Sequence, residues 1–338
     1  MTTRVLPCTD AALDEAAALL RAGSLVAFPT ETVYGLGADG LNAAAVRGIF
    51  LTKGRPSDNP LILHIHDTRQ ADALCRWSAA ADTLATAFWP GPLTMILPKK
   101  PAVPDAVTAG LPSVAVRCPA HPDALRLLRA CACPVAAPSA NTSGRPSPTA
   151  AQHVKQDMAG KIPLILDGGP CQFGVESTVL DLTGEVPTVL RPGAITPEQV
   201  AMVLGECRVA GSVMRPLKAG ESAPSPGMRH RHYAPRGEMV LFDGEDARVA
   251  AAICARYDAT PGARIFAFRR NLSRYGSRRA EDLGDDALSA AHRLFYLLRR
   301  MDDERVPLIL SETLPQTGVG LAVMNRMARA AAFKIQKV

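Results

Sequence analysis

Short apolar runs, each long enough for one buried strand, recur along the chain between stretches with helical periodicity. The clearest runs lie at 25–28, 61–65, 93–97, 114–117, 134–137, 162–166 and 178–182. Some alternate with helical patterns and others follow each other directly, which favours a mixed α/β sheet over a regularly doubly wound one. No run is long enough to span a bilayer, so the sequence predicts a protein without a membrane partner.

A change in composition divides the chain. Residues 211–237 are rich in Pro, Gly, Ser and basic side chains and have weak periodicity, which predicts a linker. We therefore expect one domain over 1–210 and a smaller α/β domain over 238–338, and a length of 338 residues is sufficient for two. The second domain has strand and helix patterns but no evident cluster of catalytic side chains.

Charge and cysteine content narrow the class of protein only in part. The formal net charge is +6, which permits either an anionic substrate or RNA as a partner. The eight cysteines form no C-x-x-C pair, and the N-terminus lacks a basic segment followed by an apolar one. These features predict reduced thiols and a cytoplasmic protein.

Two polar stretches, 50–66 and 138–149, are the main candidates for a functional site. The first holds Lys53 and Arg55 one residue apart, and the glycine and proline beside them permit a turn that lets both cations close on one polyanion. The second offers hydroxyls, an amide and another arginine after an apolar run. We expect the two stretches to face each other across a pocket for a nucleoside triphosphate.

Further cations are needed for such a ligand, because the chain has no G-x-x-x-x-G-K-[ST] phosphate loop. Arg117 ends the run V-A-V-R and Arg191 follows the run V-P-T-V-L, so both stand where a strand leaves the sheet. A triphosphate carries about four negative charges, and each charge-assisted hydrogen bond contributes about 1.5–3 kcal/mol. A single arginine is more often a solvated surface residue, but four cations at such junctions favour a site.

Several other patterns have a plainer interpretation. Residues 35–40, G-L-G-A-D-G, match the dinucleotide fingerprint of nicotinamide oxidoreductases, but the preceding strand ends at Phe28, too early for it, so a glycine-rich turn is favoured. By spacing alone, His64 is more often a core histidine than a ligand. Ser139 lacks the G-x-S-x-G elbow of serine hydrolases, and the histidines within 229–233 lack partners at metal-ligand spacing.

Capping residues predict three helix starts. Thr9 is placed to cap a helix that ends near Ala22. The pair Ser147-Pro148 predicts the entry of a helix over 149–158. Thr196 with Glu and Gln after it predicts a capping box.

The motifs, taken together and in order, resemble those of the YrdC family over residues from about 10 to 205. They read F-P-T-E-T-V-Y-G-L-G, K-G-R-P-S-D-N-P-L, W-P-G-P-L-T, V-A-V-R, P-S-A-N, F-G-V-E-S-T and L-R-P-G. With the later H-Y-A-P and the trailing domain, the chain is similar to the long, two-domain threonylcarbamoyl-AMP synthases. The resemblance implies a YrdC-like mixed, twisted sheet with a large cleft, plus a smaller C-terminal α/β domain of Rossmann-like type.

The resemblance also implies a reaction. L-Threonine, bicarbonate and ATP would give L-threonylcarbamoyladenylate and pyrophosphate, which makes the protein a nucleotidyltransferase that uses Mg²⁺ with ATP and no metal site of its own. The adenylate would serve N6-threonylcarbamoylation of a tRNA adenosine, so tRNA or a tRNA-threonylcarbamoyl transferase complex is an implied transient partner.

The family's functional positions fall on particular residues of this chain. The resemblance implies catalytic roles for Lys53 and Arg55. It implies ATP contacts at Lys53, Arg55, Ser57, Asn59, Ser113, Ser139, Asn141, Ser147, Arg191 and Tyr233, of which Tyr233 would reach back from the linker over the nucleotide. It implies threonine contacts at Thr30, His64, Arg117, the backbone near Ala137, and Ser177, with Arg117 clamping the carboxylate.

A non-catalytic RNA-binding module is the main alternative. Pairs of arginines at 269–270, 278–279 and 299–300 and the basic net charge favour it, although such pairs are usually a solvated face. The low aromatic content of 5% argues against a base-stacking surface.

Overall fold

The computed structural model describes residues 1–215 and 233–338, which form two sheets and their helices. The predicted linker at 211–237 and the histidines of 229–233 therefore lie largely outside the described residues. None of the helices in the two described ranges is long and apolar enough to cross a membrane.

The first sheet is mixed, as predicted, because parallel and antiparallel pairs both occur in it. Its order is β1-β8-β2-β3-β7-β4-β6-β5-β9-β10-β11. The strands are β1 (Arg4–Pro7), β2 (Val26–Phe28), β3 (Gly35–Asp39), β4 (Ile62–His64), β5 (Leu93–Pro98), β6 (Ser113–Arg117), β7 (Val135–Ala136), β8 (Leu164–Asp167), β9 (Thr178–Asp181), β10 (Thr188–Arg191) and β11 (Arg208–Val209).

Within residues 1–215, eight α-helices accompany this sheet, and two of the three predicted starts are confirmed. The Thr9 hydroxyl accepts from the N–H of Ala12, and Thr196 forms the predicted capping box. The predicted start near Ser147 is wrong: the helix begins at Ala151, because the Ser147 hydroxyl donates to Glu176 instead of capping. The helices are α1 (Asp10–Arg21), α2 (Ala43–Lys53), α3 (Ala71–Leu74), α4 (Ala79–Phe88), α5 (Asp105–Thr108), α6 (Pro122–Cys131), α7 (Ala151–Met158) and α8 (Pro197–Leu204).

The glycine run at 35–40 is strand β3 and the residue after it, so the predicted turn is wrong and so is a dinucleotide loop. β3 pairs antiparallel with β2. A Cβ on Gly37 would lie 2.9 Å from Cγ1 of Val135, and one on Gly40 would lie 2.5 Å from Cδ2 of Leu63. The glycines therefore permit close packing within the sheet, where any side chain would clash.

The second sheet is wholly parallel, in the order β14-β13-β15-β12-β16, which confirms the expected Rossmann-like second domain. The short strands β14 and β16 have no apolar run in the sequence, and neither was predicted. The strands are β12 (Glu238–Asp243), β13 (Arg264–Ala267), β14 (Ala280–Asp282), β15 (Leu308–Glu312) and β16 (Ile335–Lys337), and the helices are α9 (Asp246–Asp258), α10 (Ala287–Asp303) and α11 (Val319–Ala330).

The second domain packs against a loop of the first. Val33 and Val175 belong to the same buried cluster as Leu294 and Phe295 of α10. The close approach occurs at Gly174, which has φ +77°; a Cβ there would lie 2.6 Å from the carbonyl oxygen of Ala291. The loop that precedes β9 is thus held between the two domains.

Candidate functional site

A pocket of about 660 Å³, open water included, lies where strand ends of the first sheet meet the second domain. Most of the predicted site residues line it, namely Thr30, Arg55, His64, Arg117, Ala137, Ser139, Asn141, Ser147, Ser177, Arg191 and Tyr233. The fold thus brings together side chains from many separate loops and strand ends.

Four predicted residues do not line the pocket: Lys53, Ser57, Asn59 and Ser113. Ser57 is exposed, whereas Asn59 is buried, and its carbonyl oxygen lies 3.4 Å from Nη2 of Arg55. Ser113 begins β6, roughly 13 Å along the strand from Arg117 at about 3.3 Å per residue. ATP contacts at these residues stay predictions.

The two polar stretches do face each other, as predicted. The Lys53 ammonium nitrogen donates to the carbonyl oxygens of Ser139 and Asn141, and the N–H of Ser143 donates to the Lys53 carbonyl at 2.9 Å. Gly54 ends α2 with φ +60°, which turns the chain toward Arg55. Burial, together with the nearby Arg55 charge, holds the pKa of Lys53 well below its ordinary value. Lys53 therefore anchors the opposing loop from behind the pocket wall.

The anchored loop is also fixed by its own side chains. The Ser139 hydroxyl donates to Oδ1 of Asn141 at 2.6 Å, and Nδ2 of Asn141 donates to the carbonyls of Thr142 and Arg145 at 2.8 and 2.9 Å. Ser139 and Asn141 are thus presented to the pocket in a defined orientation, which is what precise binding of a ligand requires.

Two arginines bring positive charge to the pocket and form no direct ion pair with a carboxylate of the described residues, although Glu176 is close enough to Arg191 for the two charges to interact. Nη2 of Arg55 reaches only backbone carbonyls, and its Nε has no hydrogen-bond partner among described groups. Arg191 donates to the carbonyl and hydroxyl oxygens of Ser177 at 3.1 and 3.0 Å. Burial is the main cause that lowers the pKa of each to about 10. Both stay charged at neutral pH, and an anion in the pocket would relieve that unfavourable burial.

Arg117 is buried and already paired. Its Nη2 lies 2.6 Å from Oε1 of Glu31, and its Nη1 donates to the Thr32 hydroxyl at 3.0 Å. Glu31 stands within the first motif, but no sequence pattern predicts its pairing with Arg117. Because part of the guanidinium is used internally, a bound carboxylate would share Arg117 with Glu31.

His64 is buried and lines the pocket. Burial and the nearby charge of Arg117 lower the pKa of its imidazole to about 3, so the ring is neutral at physiological pH. Its Nδ1 lies 3.3 Å from the carbonyl oxygen of Ile62. His64 is therefore both a core residue and part of the pocket wall, and the two interpretations of its spacing are compatible.

Glu176 is a pocket residue that the sequence analysis missed. The Ser147 hydroxyl donates to its Oε1 at 2.5 Å, and Nε of Arg326 donates to its Oε2 at 2.9 Å. Burial acts to raise its pKa, but the charges of Arg326 and Arg191 outweigh burial and hold the pKa below its ordinary value. The motif F-G-V-E-S-T contains Glu176, but nothing in the sequence shows that its partner is an arginine in the other domain.

A second missed group couples the domains in the same way. Asp157 is ion-paired with Arg145, which lines the pocket, and with Arg299 of α10, whose Nη2 lies 2.8 Å away. Arg299 also donates to the carbonyl of Pro146 at 2.7 Å. Two buried arginines of the second domain thus contact carboxylates beside the pocket.

Tyr233, at the start of the second described range, completes the wall. It is buried, has φ +63°, and stacks on Phe295 with ring centroids 5.1 Å apart. The guanidinium carbon of Arg326 lies 5.7 Å from its ring centroid. Tyr233 therefore lines the pocket, and its contact with a nucleotide stays a prediction.

Fold and site together define a class: a two-domain α/β protein whose pocket combines buried arginines with hydroxyl and amide groups, suited to an anionic ligand. A family model described as Sua5_yciO_yrdC, Telomere recombination, matches residues 18–193. A second, Threonylcarbamoyl-AMP synthase, C-terminal domain, matches residues 195–332. The chain belongs to the Sua5/YciO/YrdC family, which confirms the resemblance of its motifs.

Relatives match the chain almost from end to end. A Pyrococcus abyssi (strain GE5 / Orsay) protein named Threonylcarbamoyl-AMP synthase is 46% identical over 330 residues, 96% of this chain and 95% of the relative. A Bacillus subtilis (strain 168) protein of the same name is 44% identical over 337 residues, 98% of this chain and 96% of the relative. The solved structure of P. abyssi Sua5 complexed with L-threonine matches with a TM-score of 0.91 and 43% identity, covering 100% of this chain and 99% of that chain.

Proposed function

We propose that this protein is a threonylcarbamoyl-AMP synthase, a nucleotidyltransferase that converts L-threonine, bicarbonate and ATP into L-threonylcarbamoyladenylate and pyrophosphate. The observation that carries the proposal is the pocket itself. It brings Arg55 and Arg191, neither ion-paired among the described residues, next to the oriented groups of Ser139 and Asn141. End-to-end relatives named for this activity support the same conclusion.

The nucleotide end of the pocket would use cations and hydrogen-bond donors. Arg55 and Arg191 would bind the phosphates, and the groups of Ser139, Asn141 and Ser147 would fix the nucleotide. Because charge collects on phosphate oxygens as the reaction proceeds, catalysis here needs mainly positioning and fixed positive charge. Lys53, although predicted to be catalytic, would act by holding the Ser139–Asn141 loop in place.

The threonine end would lie at Thr30, His64, Arg117, the Ala137 backbone and Ser177, as the motifs imply. The Arg117 guanidinium, shared with Glu31, would pair with the carboxylate, and the neutral His64 ring would add a hydrogen-bonding group without adding charge. Bicarbonate takes up a proton and dehydrates to CO₂ and water, and the threonine amine attacks the CO₂, loses a proton and becomes a carbamate. A carbamate oxygen then bonds to the α-phosphorus while the bond to the β-phosphate oxygen breaks, and pyrophosphate leaves.

Mg²⁺ would enter with ATP. Glu176 is the carboxylate that lines the described pocket, and its oxygens already accept from Ser147 and Arg326. The phosphates of ATP are therefore the ligands that we propose for the ion, and it would neutralise charge on the leaving pyrophosphate. The protein's part is to bind the resulting complex through Arg55 and Arg191.

The product would be used in tRNA modification, and we propose a cytoplasmic location. A mixed carbamic–phosphoric anhydride is reactive, so a transferase complex acting on a tRNA adenosine would have to take it up soon after release. The free state of all eight cysteines is compatible with a reducing compartment.

The alternative as an RNA-binding module is weakened by the ion pairs of the second domain. Arg269 pairs with Asp282 and Asp285, and Arg278 pairs with Asp258. Arg270, Arg299 and Arg300 are ion-paired too. These arginines, whose spacing suggested RNA binding, are largely neutralised by neighbouring acids, which reduces the field available for a phosphate backbone.

The test is pyrophosphate release from ATP and bicarbonate, with threonine present or omitted, and mass spectrometry of the product. We expect release that depends on threonine and a product with the mass of threonylcarbamoyladenylate. Release that is independent of threonine, or no release at all, would contradict the proposal. Salt-sensitive tRNA binding without pyrophosphate release would favour the RNA-binding module instead.

A further inference from the structure

Arg326 of α11 is a buried arginine that reaches from the second domain into the wall of the pocket. Its side chain is 0% exposed. Nε donates to Oε2 of Glu176 at 2.9 Å, and Nη1 donates to the carbonyl of Pro192 at 2.8 Å. Its guanidinium also lies over the ring of Tyr233. One side chain therefore contacts three separate segments around the pocket.

Each of these contacts adjoins a group that faces the pocket. Glu176 accepts from Ser147, and Pro192 directly follows Arg191. Tyr233 and Glu176 are themselves pocket-lining residues. Arg326 is held in turn by Asn325, whose Oδ1 accepts from Nη1 at 2.9 Å. These contacts hold the Arg326 side chain in one position against the wall of the pocket.

We infer that Arg326 is a positioning residue of the nucleotide pocket, which it controls by neutralising Glu176 and fixing its orientation. The inference rests on the proposed function, since it assumes that the pocket binds ATP. A pocket for a ligand with about four negative charges contains a carboxylate, and without Arg326 that buried charge would repel the phosphates. The second domain thereby contributes to ATP binding although Arg326 touches no substrate.

A purely structural role for Arg326 makes a different prediction. If Arg326 only joined the domains, then loss of the ion pair would impair both substrates together, and removing the Glu176 charge would not help. If it neutralises Glu176, then Arg326→Met should raise the KM for ATP and leave the KM for threonine nearly unchanged. Adding Glu176→Gln should restore the KM for ATP, because a glutamine still accepts from Ser147 and carries no charge.

The experiment measures threonine-dependent pyrophosphate release by the full-length protein in four variants: Arg326→Met, Arg326→Lys, Glu176→Gln and the Arg326→Met/Glu176→Gln double variant. We expect about a tenfold or greater rise in the ATP KM for Arg326→Met, equivalent to the loss of one charge-assisted hydrogen bond. Arg326→Lys should lie between it and the wild type. The double variant should recover most of this loss, to within about threefold of the wild type, whereas Glu176→Gln, which leaves the Arg326 charge beside the pocket without its ion pair, should not raise the ATP KM.

The pH dependence supplies a further readout. In Arg326→Met, Glu176 keeps the Ser147 hydrogen bond and the nearby charge of Arg191 but loses its ion pair, so burial raises its pKa above that in the wild type and the carboxylate is protonated more readily as the pH falls. The ATP KM of this variant should therefore improve toward lower pH, whereas that of the double variant should not. Tyr275→Phe is the control for general weakening of the second domain, because Tyr275 donates to Glu312 in that domain, at 2.6 Å.

The outcomes distinguish the proposed function from the role of Arg326. A wild-type protein without threonine-dependent pyrophosphate release would overturn the proposed function before any variant is compared. An active wild type with a double variant as impaired for ATP as Arg326→Met would overturn the role of Arg326, as would an equal ATP defect in Tyr275→Phe. If Arg326→Met does not fold, the ATP KM of the double variant still tests the role of Arg326, because this variant removes both buried charges together. A KM near the wild-type value supports the role, and a raised KM contradicts it.

Discussion

Each sheet has a strand that ends in a buried charged residue, Arg191 in β10 and Glu312 in β15. The two sites differ in whether the charged groups there already have partners of opposite charge or hydrogen-bond partners. In the first domain, Arg55 and Arg191 face a pocket without a carboxylate partner among the described residues. In the second, Glu312 ends β15 and is buried. It accepts from the Tyr275 hydroxyl at 2.6 Å, the Phe268 N–H at 3.0 Å and the Asn271 amide at 3.2 Å.

A binding site differs from a structural network in having charged groups that can still bind a ligand. Ligands of open α/β sheets bind beyond the carboxyl ends of the strands, and both domains offer such an edge. At the edge of the second sheet, the Glu312 carboxylate already accepts hydrogen bonds from the groups around it. In the first, cationic groups retain capacity for an anion. A Rossmann-like fold is therefore not itself evidence for a nucleotide site in the second domain.

Deletion of residues 211–338 should have the largest effect on activity, because the second domain completes the pocket of the first. The deletion removes Tyr233, Arg326 and Arg299 and exposes the apolar surface at Val33 and Val175. We expect synthesis of the adenylate to fall to the detection limit in a pyrophosphate-release assay. A truncated protein that kept full activity would show that the wall at Tyr233 is dispensable.

Arg55→Ala and Asn141→Ala should each reduce kcat/KM for ATP by about tenfold to a hundredfold or more, since each loses a charge-assisted or oriented hydrogen bond worth about 1.5–3 kcal/mol and disturbs its neighbours. Pyrophosphate release measures the effect, and circular dichroism shows whether the fold is retained. Wild-type turnover in either variant would remove that residue from the site. Arg270→Ala, an exposed arginine of the second domain, is the matched control and should be fully active.

The sequence predicted the mixed sheet, the Rossmann-like second domain and most of the pocket lining, because each depends on local patterns or on motifs. Strand exits place Arg117 and Arg191, and a glycine after Lys53 turns the chain toward Arg55. Each of these signals lies within a few neighbouring residues of the sequence. The packing around Arg55, Arg117 and Arg191 in the structure agrees with what the signals predict.

The sequence did not predict the features that depend on contacts across the fold. Residues 35–40 have the glycine content of a turn, but residues 35–39 form a strand in which Val135 packs closely on Gly37, and Gly40, packed on Leu63, lies just beyond its end. Ser147 is of a residue type that often caps helices, but its hydroxyl donates to Glu176 instead. The Arg326 partner of Glu176 lies 150 residues away, so no local pattern could reveal it.

Tyr275→Phe should lower the stability of the second domain without affecting the pocket of the first. It leaves Glu312 with one partner fewer in a buried site, which costs about 1–3 kcal/mol of unfolding free energy. Denaturant unfolding measures the loss, and the KM values for ATP and threonine should be unchanged. Altered KM values with an intact fold would mean that the Glu312 network is coupled to the pocket after all.

His64→Gln should change how stability depends on pH. The folded-state pKa of His64 is about 3, below the unfolded value of about 6.5, so the unfolded chain binds a proton more readily. The neutral ring therefore contributes stability that is fully present above pH 6.5 and is lost as the pH falls from there toward 3. Unfolding free energy of the wild type should decline with acid more steeply than that of the variant, by up to about 1.4 kcal/mol per pH unit.

A matched histidine tests whether this effect is specific to the pocket. His153 is also buried, and burial followed by the charge of Arg299 lowers its pKa to about 4, so His153→Gln should flatten the same profile over the narrower range from 6.5 to 4. The two variants should differ in substrate binding, since His64 lines the pocket and His153 does not. Parallel profiles for wild type and His64→Gln would show that the pKa of this imidazole is the same in the folded and the unfolded chain, which would contradict a pKa lowered by burial in the pocket wall.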